Sequence, residues 1–175
     1  MTLFKRIQAD RRGVAATELA LTMPVLLILI YGVMELGNAL LLDRKVTSAA
    51  QSAADLVAQS KEIATADIND VFEAMDRIIA PFASGSATYV VSSVTMNPAG
   101  QVVIDWSDAR GGAAPVPGDA KNIPLGLVTE GDSVIVAEAA YDFQPVFGTT
   151  LISGFTISDV AYLKPRQVPI ITRTN

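Results

Sequence analysis

An apolar run from Leu19 to Leu42 dominates the hydrophobic pattern of the chain. At about 1.5 Å of rise per residue, a helix of this length is about 36 Å long. The hydrocarbon core of a bilayer is about 30 Å thick, so such a helix crosses it with some tilt. The run therefore predicts a single membrane-spanning helix.

The helical pattern continues beyond the run. Residues 43–60 contain neither glycine nor proline, and they are rich in alanine. Their apolar positions recur with helical spacing: Val46, Ala49, Ala50, Ala53, Leu56 and Val57. We expect one helix from about Val14 to Ser60, with a kink or a short melted segment at Pro24, which lacks a backbone donor.

A second, shorter helix is predicted between residues 67 and 81. Its apolar residues follow the spacing of one helix face: Ile68, Val71, Phe72, Met75, Ile78 and Ile79. Asp67 is expected to cap its start and Pro81 to end it. The pattern indicates a soluble helix that packs against another element.

An antiparallel hairpin is predicted at residues 88–107. A β-branched segment leads into the turn sequence 97–100, after which Val102, Ile104 and Trp106 alternate with Val103, Asp105 and Ser107. This alternation places the first three side chains on one face of the strand. Trp106 is expected in the core.

Two further strands are predicted at residues 133–143 and 155–163, which brings the sheet to about four strands. A hydrophobic corner at 144–154 is expected to join them. Glycine and proline dominate residues 109–132, and we expect this long irregular segment to be a surface excursion.

Charge is distributed unevenly along the chain. Residues 1–13 contain four basic residues and one acidic residue, whereas residues 43–175 contain nine basic and fifteen acidic residues. Because Lys and Arg are retained on the cytoplasmic side, the N-terminus is predicted inside and the remainder outside. The acidic exported part lacks the clustered Lys and Arg of a nucleic-acid interface, so no nucleic acid is predicted as a partner.

The chain has no histidine and no cysteine, which removes the common general bases, thiol nucleophiles, disulfides and most transition-metal sites. Several carboxylates near the long loop lack the ligand order of a calcium-binding EF-hand, and solvated loop carboxylates are the favoured interpretation. They are Asp105, Asp108, Asp119, Glu130 and Asp132. No nucleotide-binding motif is present. We predict a protein that is not an enzyme and that has no cofactor and no metal.

Two carboxylates do not suit an ordinary membrane anchor. Glu18 lies one residue before the apolar run, and Glu35 lies inside it, where an acidic residue costs roughly 2.5 to 3.5 kcal/mol. If the chain is cut after Gly13, the Glu18 carboxylate could pair with the new amine at Val14 once helices pack together. Such a pair would compensate the charge.

The order of basic residues, Gly13, Glu18 and an apolar stretch resembles the class III signal of type IV pilins and pseudopilins. More narrowly, the run ELALTMPVLLILIYGVMELGNALL resembles the TadE/TadG-like family of tight-adherence pilus systems. Pro24 and the later spacing of Gly32, Glu35 and Gly37 contribute to this resemblance.

The C-terminal half is similar to the same family. Residues 130–147 and 155–166 share its glycine–aspartate turn, its strand ending in an aromatic residue and proline, and its last strand ending in Pro-Arg. The tail from Gln167 to Asn175 extends past the usual end, and the 109–132 segment is longer than expected.

The resemblance implies an α+β, pilin-like fold. In such a fold, a long and partly transmembrane N-terminal helix and a short second helix pack on a small antiparallel sheet of about four strands. We expect a basic cytoplasmic leader at 1–13, a long helix at 14–60 with its membrane part at about 19–42, and an extracytoplasmic α+β domain at 61–175.

The function implied by the resemblance is that of a minor pilin, or pseudopilin, involved in pilus assembly, initiation or capping and in surface adhesion. Cleavage is expected between Gly13 and Val14, with Glu18 acting in assembly. The implied partners are a prepilin peptidase, other major and minor pilins, the inner-membrane assembly platform and membrane lipid. The precursor is expected as a single-pass protein of the bacterial inner membrane with its C-terminal domain outside, and the mature protein in the pilus at the cell surface.

Three alternatives remain open at the level of sequence. The helix could be a plain signal anchor, in which the Glu18 carboxylate stabilises the helix by interacting with the positive, N-terminal end of its dipole. It could instead be a removable secretory signal cut near Ser48-Ala49-Ala50, although its apolar run is long for one. The chain could also be an uncleaved, inner-membrane-anchored envelope protein whose outer domain binds a partner or ligand.

Overall fold

The computed structural model describes residues 12–145 and 153–174. Helix α1 spans Arg12–Ala58 and helix α2 spans Thr65–Ile79. Two short strands, β1 (Glu62–Ile63) and β6 (Thr172–Arg173), pair in parallel. The four longer strands are β2 (Ala87–Met96), β3 (Val102–Arg110), β4 (Ser133–Phe143) and β5 (Phe155–Leu163).

The four longer strands form one antiparallel sheet in the order β3-β2-β4-β5. This sheet and the two helices confirm the predicted α+β class, the long first helix, the short second helix and the four strands. The predicted corner at 144–154 and the leader at 1–13 lie largely outside the described residues.

The described chain forms two compact units. One contains residues 12–38, 145 and 153, and the other contains residues 39–144 and 154–174. Helix α1 contributes residues to both units.

Helix α1 supplies one side of the main hydrophobic core. Its buried residues recur every three or four positions, as expected for one face of a helix. They are Leu42, Val46, Ala49, Ala50, Ala53, Ala54 and Val57, and they share a core with side chains of α2 and the sheet. The helix ends at Ala58, close to the predicted end, and it is uninterrupted at Pro24, so the predicted melted segment is absent from α1.

Helix α2 begins two residues before its predicted cap. Ala64 occupies the N-cap position, and Asp67 lies inside the first turn, where its Oδ2 accepts the Ala64 backbone N–H at 2.8 Å. The prediction of Asp67 as the cap was therefore wrong by one helical turn. At the other end, Lys45 Nζ donates to the carbonyls of Ile78 and Ala80, each at 2.7 Å, and so satisfies acceptors that a helix C-terminus leaves open.

The β2–β3 hairpin is confirmed, but its alternation breaks in the middle. The register shifts between Ser93, which faces Trp106, and Val94, which faces Ile104, so Asp105 has no opposite residue. A bulge of this kind reverses the side on which the following side chains lie. Trp106 joins the main core as predicted, whereas Ile104 joins a second cluster. The expectation that Val102, Ile104 and Trp106 share one face was wrong for this reason.

Residues 111–132, named here the outer loop, contribute to that second cluster. Ile123 and Val128 of the loop are buried with apolar residues of β2, β3 and β4. The loop also bonds to the edge of β3, because Ile104 N–H donates to the Asp119 carbonyl at 3.0 Å and Lys121 N–H donates to the Val102 carbonyl at 3.0 Å. Most of the loop is exposed, as predicted for a surface excursion, but these contacts fix it to the sheet.

The C-terminal tail is part of the core. Ile171 is fully buried, and the β6 strand next to it pairs with β1. The Arg173 guanidinium contacts both carboxylate oxygens of Asp108 at 2.8 and 3.2 Å. This tail, which the sequence marks only as an extension, ties the connector between the helices to strand β3.

Candidate functional site

The predicted cleavage site lies in the first turn of α1. Gly13 is exposed, and among the described residues no atom beyond its chain neighbours and the local helix backbone lies within 4 Å of the position that a Cβ would occupy. Val14 is about half exposed, and its carbonyl accepts a hydrogen bond from Thr17 Oγ1 at 2.8 Å. The first N–H groups of a helix have no partner within it, so this turn opens at lower cost than the turns that follow.

Glu18 follows Val14 by four residues, which places both on the same face of α1, one turn apart. Its side chain is exposed, and its carbonyl accepts a hydrogen bond from Thr22 Oγ1 at 3.1 Å. Within residues 12–145 and 153–174, no side chain forms an ion pair with the Glu18 carboxylate. The carboxylate is available to a group from another molecule.

The apolar run that follows is exposed over most of its length. Large apolar side chains from Leu19 to Leu41 are at least a third exposed, whereas Leu42 is fully buried in the core. Among the described residues, α1 is the one helix that is long and apolar enough to cross a membrane. A single apolar helix near the N-terminus is consistent with a single-pass membrane anchor.

Two of the five carboxylates considered as calcium ligands bind other side chains of the described residues. Asp108 pairs with Arg173. Asp132 accepts hydrogen bonds from Thr129 and Lys164, which lower the pKa of its carboxyl. In the described ranges, no group of three or more acidic residues is arranged to hold a metal ion.

Sequence reasoning missed a polar cluster between α2 and the sheet. Tyr89 donates its hydroxyl to Asp76 Oδ1 at 2.9 Å, and Arg110 donates to Asp76 Oδ2 at 3.1 Å. The Arg110 guanidinium also lies 5.2 Å from the centre of the Phe72 ring. The three polar residues are far apart in the chain, so no local pattern signals them, and their role is to hold α2 on the sheet.

Together, an exposed apolar helix near the N-terminus and an α+β domain are the features that the structure sets beside Gly13 and Glu18. The model of the TadE-like protein family matches residues 13–55, which begin at Gly13 and cover Glu18, the apolar run and most of α1. The match confirms the predicted resemblance to the TadE/TadG-like family and associates the chain with tight-adherence pili. This is a pilin-type structural family and not a known enzyme family.

The match ends within α1, before helix α2 and the sheet, so the resemblance of residues 130–166 to the family remains a prediction. No curated protein matches the chain significantly, and no solved structure does so either. The TadE-like match implies other pilins and assembly machinery as partners in general.

Proposed function

We propose that the chain is a minor pilin, or pseudopilin, of a tight-adherence type IV pilus. The TadE-like match over residues 13–55 carries this proposal, because it begins at the predicted cleavage site and includes Glu18. In this proposal the precursor is inserted with residues 1–13 in the cytoplasm and residues 61–175 outside. It is cleaved after Gly13 and then initiates, modulates or caps a fibre that supports surface adhesion.

Cleavage between Gly13 and Val14 is supported by the chemistry of the first turn. Glycine has no side chain to obstruct a peptidase that must reach the backbone at the membrane face. The exposure of Gly13 and the open space around it fit this requirement. The cut would leave Val14 as a free amine at the start of the exposed apolar helix.

The exposed apolar run must be shielded from water both before and after assembly, since an apolar surface of this size is not stable in water. Lipid covers it in the precursor, and the helices of neighbouring pilins cover it in the fibre. The exposed Glu18 carboxylate would then pair with the Val14 amine of a neighbour. In that low-dielectric setting, removing one partner costs about 3 to 5 kcal/mol.

The mass of the mature protein tests the proposal. A protein that begins at Val14 and is recovered in sheared surface fractions supports it. An intact N-terminus found only in the inner membrane contradicts it, and favours instead the uncleaved envelope protein whose outer domain binds a partner or ligand. A reporter fused after Asn175 should be active only outside the cytoplasm, and cytoplasmic activity would contradict the proposed topology.

A further inference from the structure

A continuous group of four aromatic side chains lies in the second unit: Phe82, Tyr141, Phe143 and Phe155, named here the aromatic cluster. The ring centres of Phe82 and Tyr141 are 6.2 Å apart, and those of Phe143 and Phe155 are 5.4 Å apart. Tyr141 and Phe143 are two positions apart on β4, so their side chains lie on one face of the sheet. Both are buried, whereas Phe155 is 46% exposed and is the most exposed aromatic residue of ranges 12–145 and 153–174.

The aromatic cluster is tied to the part of α1 that begins the second unit. Lys45 Nζ donates to the Ala80 carbonyl at 2.7 Å. Phe82 follows Ala80 by two residues, and its N–H donates to the Ile79 carbonyl at 3.2 Å. This turn therefore holds the Phe82 ring, and with it Tyr141, next to the early turns of α1 in the unit.

The direction of β5 leads to the same position. Arg166, three residues after β5 ends at Leu163, donates its N–H to the Ala58 carbonyl at 2.8 Å. The end of α1 and the end of β5 are thus neighbours. Phe155 begins β5, about 26 Å before Leu163 in an extended strand. Helix α1 is about 24 Å long from Leu42 to Ala58, so Phe155 lies toward Leu42.

The apolar run ends at this level of the second unit. Leu40 and Leu41 are about half exposed, whereas Leu42 is fully buried in the core. Lys45 follows Leu41 by four residues, which is about 6 Å along the continuous helix. The polar layer on each side of a bilayer is roughly 5 to 8 Å thick. When the apolar run spans a membrane, the turn that Lys45 holds therefore lies at the level of the lipid headgroups.

The strands at this end carry little free charge. The sequence has no charged residue at positions 143–158. Asp142, which precedes this stretch, lies on the opposite face of β4 from the aromatic cluster and accepts a hydrogen bond from Thr156 Oγ1 at 2.7 Å. Asp159, which follows it, accepts the Val160 backbone N–H at 2.8 Å.

The helices at this end carry charges of both signs. Asp43 and Arg44 are adjacent on α1. Arg77, in the last turn of α2, lies 3.6 Å from Glu73. Lys45 is bound by backbone carbonyls. The surface around the aromatic cluster thus has an exposed apolar centre without an excess of either charge, which suits the boundary between headgroups and acyl chains.

We propose that the aromatic cluster docks the extracytoplasmic domain on the membrane that α1 crosses, with Phe155 and Phe82 inserted at the boundary between lipid headgroups and acyl chains. The inference rests on the proposed function, in which α1 spans the inner membrane, and it adds a lipid contact outside the apolar run. Chain continuity selects lipid as the occupant, because this end of the domain stays beside the headgroups for as long as the run is in the bilayer. The contact holds the domain in one orientation on the membrane before assembly.

The depth of single spin labels in a bilayer tests this docking. The chain has no cysteine, so one introduced cysteine carries a nitroxide at one chosen position. The full-length chain is reconstituted in phosphatidylcholine vesicles at a low protein-to-lipid ratio. Collisions of the nitroxide with oxygen, which concentrates among acyl chains, and with a water-soluble nickel chelate then report its depth.

A label at Phe155→Cys should collide severalfold more with oxygen and severalfold less with the nickel chelate than a label at Val160→Cys. Val160 is the matched control, because it is an exposed apolar residue of the same strand. It lies about 16 Å further along β5, away from the end where Lys45 lies. Equal accessibility of the two labels to the nickel chelate would overturn the proposal.

A label at Ser84→Cys leaves every aromatic side chain in place. Ser84 is exposed and follows Phe82 by two residues, so its label should also be shielded from the nickel chelate. Adding Phe155→Asp should raise that accessibility severalfold, whereas adding Val160→Asp should leave it unchanged. If Phe155→Asp alters Trp106 fluorescence, the Ser84 label in the otherwise unchanged chain carries the comparison with the Val160 label.

Two other results would also contradict the docking. A label at position 155 that is shielded from both reagents would show that protein covers it, and spin–spin broadening would show that a second copy does. A label at Leu27→Cys, within the apolar run, tests the shared premise and should collide with oxygen and not with the nickel chelate.

The docking and the proposed function fail in different ways. A Leu27 label in lipid together with a Phe155 label in water contradicts the docking alone. An intact N-terminus on protein from cells, together with a Phe155 label in lipid, contradicts the pilin function alone. A Leu27 label in water contradicts the membrane crossing on which both proposals rest.

Discussion

The indole Nε1 of Trp106 donates a hydrogen bond of 2.8 Å to the backbone carbonyl of Ile171, 65 residues further along the chain. Both residues are buried in the main core. Trp106 is the single tryptophan of the chain, so its fluorescence reports directly on the attachment of the C-terminal tail. This contact makes the tail part of the folded core, and its contribution to the free energy of unfolding can be measured.

Replacing Ile171 with alanine should lower the free energy of unfolding by about 2 to 5 kcal/mol, because the side chain is fully buried and leaves a cavity. Urea unfolding of the full-length chain in detergent, followed by Trp106 fluorescence, measures the change. Ile170 is the matched control, since it is partly exposed. Ile170→Ala should therefore lower the free energy of unfolding by much less than Ile171→Ala does. Equal effects of the two substitutions would show that the tail is not packed as described.

Replacing Gly13 with leucine should block cleavage and leave the fold intact. The added side chain obstructs the peptidase, and the space around Gly13 is open within the chain itself. Gly37→Leu is the matched control, because Gly37 also lies on α1, and in the described part of the chain only its neighbours and the local helix backbone lie close to its missing Cβ. Precursor size on a gel and N-terminal mass are the measurements. Processing of the Gly13→Leu chain to a Val14 terminus would show that the cleavage assignment is wrong.

Replacing Glu18 with alanine should leave insertion and cleavage unchanged and prevent entry into the fibre. In the proposed function the peptidase requires the glycine, whereas the carboxylate binds the Val14 amine of a neighbour. We expect mature protein to remain in the inner membrane while sheared pili lack it. Glu18→Asp, which keeps the charge, should restore part of the incorporation. Normal incorporation of the Glu18→Ala protein would contradict this role and support the alternative, in which Glu18 is an interfacial anchor residue.

The stability of the domain should fall at alkaline pH through Tyr89. Burial, together with the hydrogen bond to Asp76, raises the pKa of the Tyr89 hydroxyl. The unfolded chain loses this proton near pH 10 while the folded chain keeps it. The contribution of Tyr89 to the free energy of unfolding is therefore complete below about pH 10 and declines as the pH rises above it.

Comparison of the wild type with Tyr89→Phe isolates this effect. The substitution should cost about 0.5 to 1.5 kcal/mol at neutral pH, because the hydrogen bond to Asp76 is lost, and the difference should shrink between pH 9 and 11. Tyr162→Phe removes the same hydroxyl from a partly buried residue and serves as the control. A difference between wild type and Tyr89→Phe that is constant with pH would exclude the mechanism.

Local patterns were sufficient for most of the secondary structure. The apolar spacing in α1 and α2, the turn chemistry at residues 97–100 and the alternation in β4 each arise within a few neighbouring residues. The candidate site was also readable from sequence, because Gly13, Glu18 and the apolar run are adjacent in the chain and the TadE-like match covers them all. Side-chain periodicity and local motif spacing do not depend on the rest of the fold.

Tertiary structure decided how the irregular segments are used. Ile123 and Val128 are buried only because strands β2, β3 and β4 present an apolar face to them, and a bulge at Asp105 adds Ile104 to that face by turning it away from Trp106. Ile171 is buried only because Trp106 and β1 lie beside it in space. Such contacts join residues that are distant in sequence, so a single-segment pattern carries no signal of them, and the free energy that fixes these segments comes from non-local burial.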